Sequence, residues 1–147
     1  MNFMTEKIFI DTNILVYAFL ENDKIRHDKA VELMSEIIGA EVFVSIQVIS
    51  EIYAALSKNG VEHDSIAEYL SELEERMNIQ PIYFDTVKKY LSLKKKYSYS
   101  YWDSLILSSS LESGCTVVYS EDMQHGQVIE QTLTIMNPFL ISSEKNA

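Results

Sequence analysis

Cysteine, glycine, proline and positive charge are all scarce in this chain of 147 residues. The one cysteine, Cys115, cannot close an internal bridge, so any fold must be held by its core. Its place in the run Cys115-Thr116-Val117-Val118 reads as a small buried side chain rather than a reactive thiol, which suits a reducing compartment. Four glycines and two prolines build no flexible linker, and with no repeat or low-complexity tract a single domain over residues 1–147 is expected. A chain of this size buries roughly 68% of the surface its unfolded form exposes, enough for one core. Long apolar runs are missing as well. The longest, Ile14 to Leu20, falls far short of the roughly 20 residues that span a bilayer, and Met1 to Lys7 holds no apolar leader stretch. Neither membrane insertion nor secretion is expected, and the cytoplasm is the predicted location.

Basic residues number 12 against 22 acidic ones, a formal net charge of -10. Sequence-independent electrostatic binding of nucleic acid is therefore disfavoured from the outset. What the chain has in quantity is apolar sequence, 47% of residues, arranged in two alternating patterns. Short apolar runs at Lys7 to Ile10, Val42 to Ser45, Ile79 to Tyr83, Thr116 to Tyr119 and Leu133 to Met136 read as buried strands. Between them, helical spacing marks Ile14 to Leu20, Asp23 to Ile38 (Ala30, Val31, Met34, Ile37, Ile38, stopped by Gly39), and Gln47 to Ser57 (Val48, Ile49, Ile52, Tyr53, Leu56). Ser65 and Glu68 have capping-box spacing at the head of a fourth helix that ends before Pro81, Val87, Tyr90 and Leu91 mark a fifth, and Tyr101 to Ser113 a sixth closed by Gly114. Strands separated by helices, apolar on both faces, predict a three-layer α/β/α fold with a mainly parallel central sheet of about four to five strands. In such sheets ligands gather at the carboxyl ends of the strands.

Carboxylates fall where that edge should be. Asp11 follows Phe9-Ile10, and Glu121-Asp122 follow Tyr119-Ser120. Alone, a strand-end aspartate is as readily a helix N-cap. Asp103 has Ile106 and Leu107 as its i+3 and i+4 neighbours and Trp102 directly before it, an unusual face for a solvated acid, although a first-turn aspartate is also favoured by the helix dipole. Glu51 borders an apolar face, where rim glutamates are routine. Together the four carry more weight. Two like charges about 4 Å apart repel by roughly 4 kcal/mol at an effective dielectric of about 20, against a typical folding stability of roughly 5–15 kcal/mol. Acids brought together by such a fold must therefore shift their pKa values or hold a cation. Oxygen donors without His or Cys favour Mg²⁺ or Mn²⁺ over zinc, and phosphodiester hydrolysis is the natural chemistry of such an ion.

In order along the chain, Phe9-Ile10-Asp11-Thr12-Asn13-Ile14-Leu15-Val16-Tyr17, Ser45-Ile46-Gln47-Val48-Ile49-Ser50-Glu51, Tyr101-Trp102-Asp103-Ser104-Leu105-Ile106-Leu107 and Tyr119-Ser120-Glu121-Asp122-Met123-Gln124-His125-Gly126 make the sequence resemble the PIN-domain nucleases, in particular the VapC-like ribonucleases of type II toxin–antitoxin pairs. The resemblance spans nearly the whole chain. It implies that Asp11, Glu51, Asp103 and Asp122 bind metal, Mg²⁺ or Mn²⁺, while Asn13 and Ser120 position carboxylates and waters. It further implies endonucleolytic cleavage of single-stranded RNA by a metal-activated water, homodimers, and a small antitoxin partner. Glu121 is open between a metal-site acid and a solvated one.

Five of the twelve basic residues, Lys88, Lys89, Lys94, Lys95 and Lys96, lie within nine positions and lead into Tyr97, Tyr99, Tyr101 and Trp102. Lys94, Lys95, Lys96 and Tyr99 are thus candidates to hold RNA phosphates and unpaired bases, the alternative being a solvated helix face with core aromatics behind it. His125 is a further candidate phosphate contact, although an exposed loop histidine is the commoner case, and His27 and His63 read as surface helix residues. Two other functions compete. An aspartyl-phosphate phosphatase also begins with a strand-end aspartate, but it usually needs a second acid two residues on, where this chain has Asn13. A PIN-like module that only binds is countered by the presence of all four acids.

Overall fold

A computed structural model describes residues 6–141, so Met1 to Thr5, most of the segment read for a leader, lie outside the described residues. The elements run β1 (Lys7–Ile10), α1 (Thr12–Phe19), α2 (Lys24–Glu36), β2 (Glu41–Ser45), α3 (Ile46–Lys58), α4 (His63–Arg76), β3 (Asn78–Gln80), α5 (Phe84–Tyr97), α6 (Tyr101–Glu112), β4 (Val117–Tyr119), β5 (Val128–Ile129) and β6 (Leu133–Met136). One sheet takes the order β3-β2-β1-β4-β6-β5. Every pairing is parallel except β5 with β6. The six helices and the mostly parallel sheet make the expected α/β/α fold, with α1 to α4 in contact along one set of crossovers and α5 packed on α6 along the other.

The core follows from the strand sequences. Ile8, Phe9 and Ile10 are all fully buried, as a central parallel strand covered on both faces requires. Val44, Val118, Ile135, Ile52, Leu56, Ile66 and Leu107 complete the interior around them. Cys115 is buried, and burial pushes its thiol up to about 12, so it is an inert core group. Among the described residues no helix is long and apolar enough to cross a membrane.

Several sequence expectations are corrected. A sixth strand, β5, is present; two residues leave no readable periodicity, and its pairing with β6 follows from the turn between them. β3 lies at Asn78–Gln80 rather than Ile79 to Tyr83, because Pro81 lacks the N–H that would continue the ladder. Helix α4 starts at His63 with Glu62 as its cap and no side-chain capping bond, so the Ser65–Glu68 pair sits inside the helix. Helix α2 stops at Glu36, before Ile38, whose side chain is 87% exposed. Val31 and Leu91, assigned to buried faces by spacing, are also exposed. His27 is tied inward, its Nδ1 lying 2.8 Å from the Tyr17 carbonyl oxygen.

The chain turns from β1 toward β2 and β3 on one side, then crosses back to place β4 on β1's other side. The Asp11 N–H donates to the Tyr119 carbonyl at 3.0 Å, extending the β1–β4 ladder by one residue. The crevice beyond that reversal is where open α/β sheets bind ligands. Helix α6 returns into β4 through Gly114 at φ 78°, whose N–H donates to the Leu111 carbonyl at 3.0 Å. That backbone angle disfavours any residue with a Cβ. Gly114→Ala is expected to cost about 1 kcal/mol and lower the melting temperature by about 2–4 °C. Calorimetry showing an unchanged melting temperature would contradict this reading of the turn.

Candidate active site

Four elements deliver one carboxylate each to the carboxyl edge of the sheet. Asp11 closes β1 and caps α1, Glu51 stands on α3, Asp103 on the first turn of α6, and Asp122 two residues beyond Ser120 after β4. Helix α3 starts at this edge because it follows β2 without a loop, capped by Ser45. Helix α6 precedes β4 and runs opposite to it, so its N-terminus reaches the same edge. Asp11, Glu51, Asp103 and Asp122 all line a single cleft of about 530 Å³, together with Thr12, Asn13, Gln47, Ala54, Ala55, Lys58, Ser100, Trp102 and Ile106.

The acids are held by neutral donors. Asp11 accepts the Thr12 N–H at 2.7 Å on Oδ1 and the Ser120 hydroxyl at 2.9 Å on Oδ2. Glu51 accepts the Thr12 hydroxyl at 2.6 Å and the Gln47 amide at 3.2 Å. Asp122 accepts the Asn13 amide at 3.0 Å. The Asp103 N–H donates to the Ser100 hydroxyl at 3.1 Å, which fixes the first turn of α6. Gln47 also donates to the Trp102 carbonyl at 3.3 Å and so ties α3 to α6 across the edge. With its amide nitrogen committed twice, Gln47 keeps a buried Oε1 that has no partner among the described residues.

Electrostatics are dominated by lost water. Burial pushes Asp11, 6% exposed, up to about 7, against the pull of its two donors and with help from the charges of Asp103 and Glu51. Asp103 is raised by burial, then by Asp122 and Glu51. Asp122, at the exposed rim, is raised by partial burial and by Glu121 and Glu51. Among the described residues no three of these acids already close into a set of cation ligands. They line an open cleft. The donor set nevertheless fits a hard divalent cation: every candidate ligand is oxygen, and the charges oppose one another.

Other candidate residues lie elsewhere. Lys94, Lys95, Lys96, Tyr99 and His125 do not line the cleft. Lys96 pairs with Glu130 at 2.7 Å, and Tyr97 donates to the same carboxylate at 2.9 Å. Tyr99 donates to Gln127 and accepts the Gln124 N–H, bracing the loop before β5. The exposed His125 accepts the Asn137 N–H on Nδ1 at 2.9 Å. Glu121, left open by the sequence, turns away to accept the Tyr17 hydroxyl at 2.8 Å and the Arg26 Nε–H at 2.6 Å. Sequence reasoning missed Thr12, Gln47 and Lys58 as cleft residues. The signal was available for two of them, since Gln47 and Lys58 flank Glu51 at helical spacings of four and seven on α3.

The layering is α/β/α, with an acidic cleft at the sheet's topological switch. The PIN domain family model matches residues 8–129, and the chain belongs to that family. No curated protein sequence matches it. Among solved structures it is similar to Mycobacterium tuberculosis VapC20, described as a sarcin-ricin loop cleaving toxin, with 18% identity and a TM-score of 0.66 over 78% of this chain and 89% of that one. It is likewise similar to VapBC2 from Rickettsia felis, bound to a fragment of promoter DNA, with 18% identity and a TM-score of 0.64 over 89% and 98% of the two chains. A toxin–antitoxin complex from Klebsiella pneumoniae gives 18% identity and a TM-score of 0.68 over 91% and 99%.

Two outcomes follow for the metal-free protein. Asp11 binds its proton more tightly folded, near 7, than its ordinary value of 3.8, so stability is full below about pH 4 and falls as pH rises to about 7. Asp11→Asn keeps the Thr12 bond and lets Ser120 accept instead of donate, so it is expected to raise stability at pH 7 by up to ~4 kcal/mol, a gain that fades near pH 4. Equal melting temperatures at pH 7 in EDTA would contradict the burial argument. Glu121→Ala, by contrast, breaks only the Tyr17–Arg26 clamp. It should cost about 1–2 kcal/mol in chemical denaturation while leaving any activity of the folded protein intact; lost activity in a fully folded variant would return Glu121 to the site.

Proposed function

We propose that this chain is a divalent-cation-dependent endoribonuclease that hydrolyses phosphodiester bonds of single-stranded RNA, and that it is the toxin of a toxin–antitoxin pair, acting in the cytoplasm as a homodimer held in check by a small antitoxin protein. The observation that carries the reading is the convergence of Asp11, Glu51, Asp103 and Asp122 on one cleft with Asp11 almost stripped of water. The solved toxins and toxin–antitoxin complexes that share the fold support it.

In this reading the four carboxylates hold Mg²⁺ or Mn²⁺. Such an ion supplies a water acidified into a nucleophile and a positive charge against the phosphodiester. The protein's own task is positioning. Ser120 and the Thr12 N–H each take one oxygen of Asp11, which fixes the plane of its carboxylate. The Thr12 hydroxyl and Gln47 do the same for Glu51, and Asn13 steadies Asp122 at the rim. None of these donors brings a positive charge, so each orients an acid without supplying the counter-charge that a cation would.

A fluorescent single-stranded RNA tests this. Cleavage is expected in Mn²⁺ or Mg²⁺, none in EDTA, and a loss on the order of 100-fold or more in Asp103→Asn. RNA binding without cleavage would make the chain a binding module, and cleavage unchanged in EDTA would remove the cation from the reaction.

A further inference from the structure

The single tryptophan of the sequence, Trp102, sits beside Asp103 on the cleft wall with 58% of its surface open. An indole left this exposed in a cleft with four carboxylates is not stabilising the core. It is nevertheless held firmly. Tyr101 packs against it edge to face, with ring centroids 4.5 Å apart and an interplanar angle of 87°. Tyr101 is braced in turn by Tyr90 at 4.8 Å and 85°, and Tyr90 is buried. The Trp102 carbonyl is fastened to Gln47, which also holds Glu51. A relay of three rings and one amide thus fixes the indole relative to the acids while leaving its surface bare.

Lys58 lines the same cleft, the one basic side chain among its described lining residues. It lies two turns beyond Glu51 on α3, and between them Ala54 and Ala55 keep the wall low. The cleft therefore runs from an aromatic platform, past a row of carboxylates, to an isolated ammonium. The basic cluster on α5 does not border it.

We infer that Trp102 is the stacking platform for an unpaired nucleobase of the substrate and that Lys58 grips a neighbouring phosphate on the far side of the acids. This rests on the nuclease reading above and adds to it the two side chains that select an unpaired strand. Stacking accepts any base because every base has a π-face, whereas a paired base cannot leave its helix to reach the indole without the cost of unstacking. One lysine also answers the objection of net charge. The strand need not be held by a broad positive surface if one base is stacked and one phosphate paired at the point of reaction.

Because Trp102 is the only tryptophan, its fluorescence reports contact directly. The intact protein is titrated in Ca²⁺ and in EDTA with single-stranded decamers of adenylate, cytidylate and uridylate, an abasic decamer of equal charge, and a blunt RNA duplex. End-label anisotropy is read in parallel. Quenching is expected with the single strands and not with the abasic decamer or the duplex. Trp102→Leu should weaken decamer binding at least about 5-fold, with most of the affinity restored in Trp102→Phe. Lys58→Gln should weaken the normal and abasic decamers alike and reduce the slope of log affinity against log salt by about one. Any of the following overturns the inference: decamers that bind without quenching, wild-type affinity in Trp102→Leu, no binding at millimolar decamer, or fluorescence that responds only to protein concentration, which would assign the indole to a protein–protein contact. Quenching by single strands without cleavage in Mn²⁺ would instead refute the nuclease reading and leave this binding surface standing.

Discussion

Asp11 has given up nearly all contact with water and received in exchange two neutral hydrogen bonds and the proximity of other acids. Neither donor offsets the desolvation, and the carboxyl is pushed to about 7 as a result. A folded chain keeps such an arrangement by holding the carboxyl's proton or by taking up a cation. The rest of the site is organised around that constraint. Thr12 bridges Asp11 to Glu51 through its N–H and its hydroxyl, Ser120 links Asp11 to the segment bearing Asp122, and Gln47 links Glu51 to the turn bearing Asp103. Three of these bonds, Thr12 to Glu51, Ser120 to Asp11 and Gln47 to the Trp102 carbonyl, run between elements far apart in sequence, so the acids cannot relax away from one another without disturbing the edge of the sheet.

Topology explains why the strain falls there. The reversal between β1 and β4 leaves a crevice that no crossover helix covers, and the first residues after both strands must face it. Helices α3 and α6 enter from opposite faces with their N-termini at the same edge, and their partial positive charges temper the repulsion. Glu121 shows how sharply the geometry discriminates. It stands directly between Ser120 and Asp122 in the chain, yet its side chain turns outward to Arg26 and Tyr17.

Much of this was legible in the sequence because its signals are local. β1 and β6 have the bounds that their apolar runs suggest, and α6 differs by one residue at its end. The convergence of the four acids could be anticipated from strand ends and helix faces once a parallel sheet was assumed. What could not be read depends on contacts made at a distance. The two-residue β5 has meaning only beside β6, and the exposure of Ile38 follows from α2 stopping at Glu36, a decision of packing rather than periodicity. The lysine cluster on α5 has the same limit: a run of charge marks a face, and only the tertiary fold says that this face does not border the cleft. The cleft's cation, Lys58, is a lone residue at the end of α3, with no run to announce it and only its spacing of seven from Glu51 as a signal.

The family supplies the fold, while the proposed chemistry rests on this chain's own carboxylates answering to a divalent ion. Anomalous scattering from crystals of the protein soaked in Mn²⁺ puts that to the most direct test. The account predicts a manganese peak in the cleft with carboxylate oxygens of Asp11 and at least one of Glu51, Asp103 and Asp122 about 2.0–2.2 Å away. A fully ordered cleft with no peak at saturating Mn²⁺, or a peak held by other residues, would contradict it.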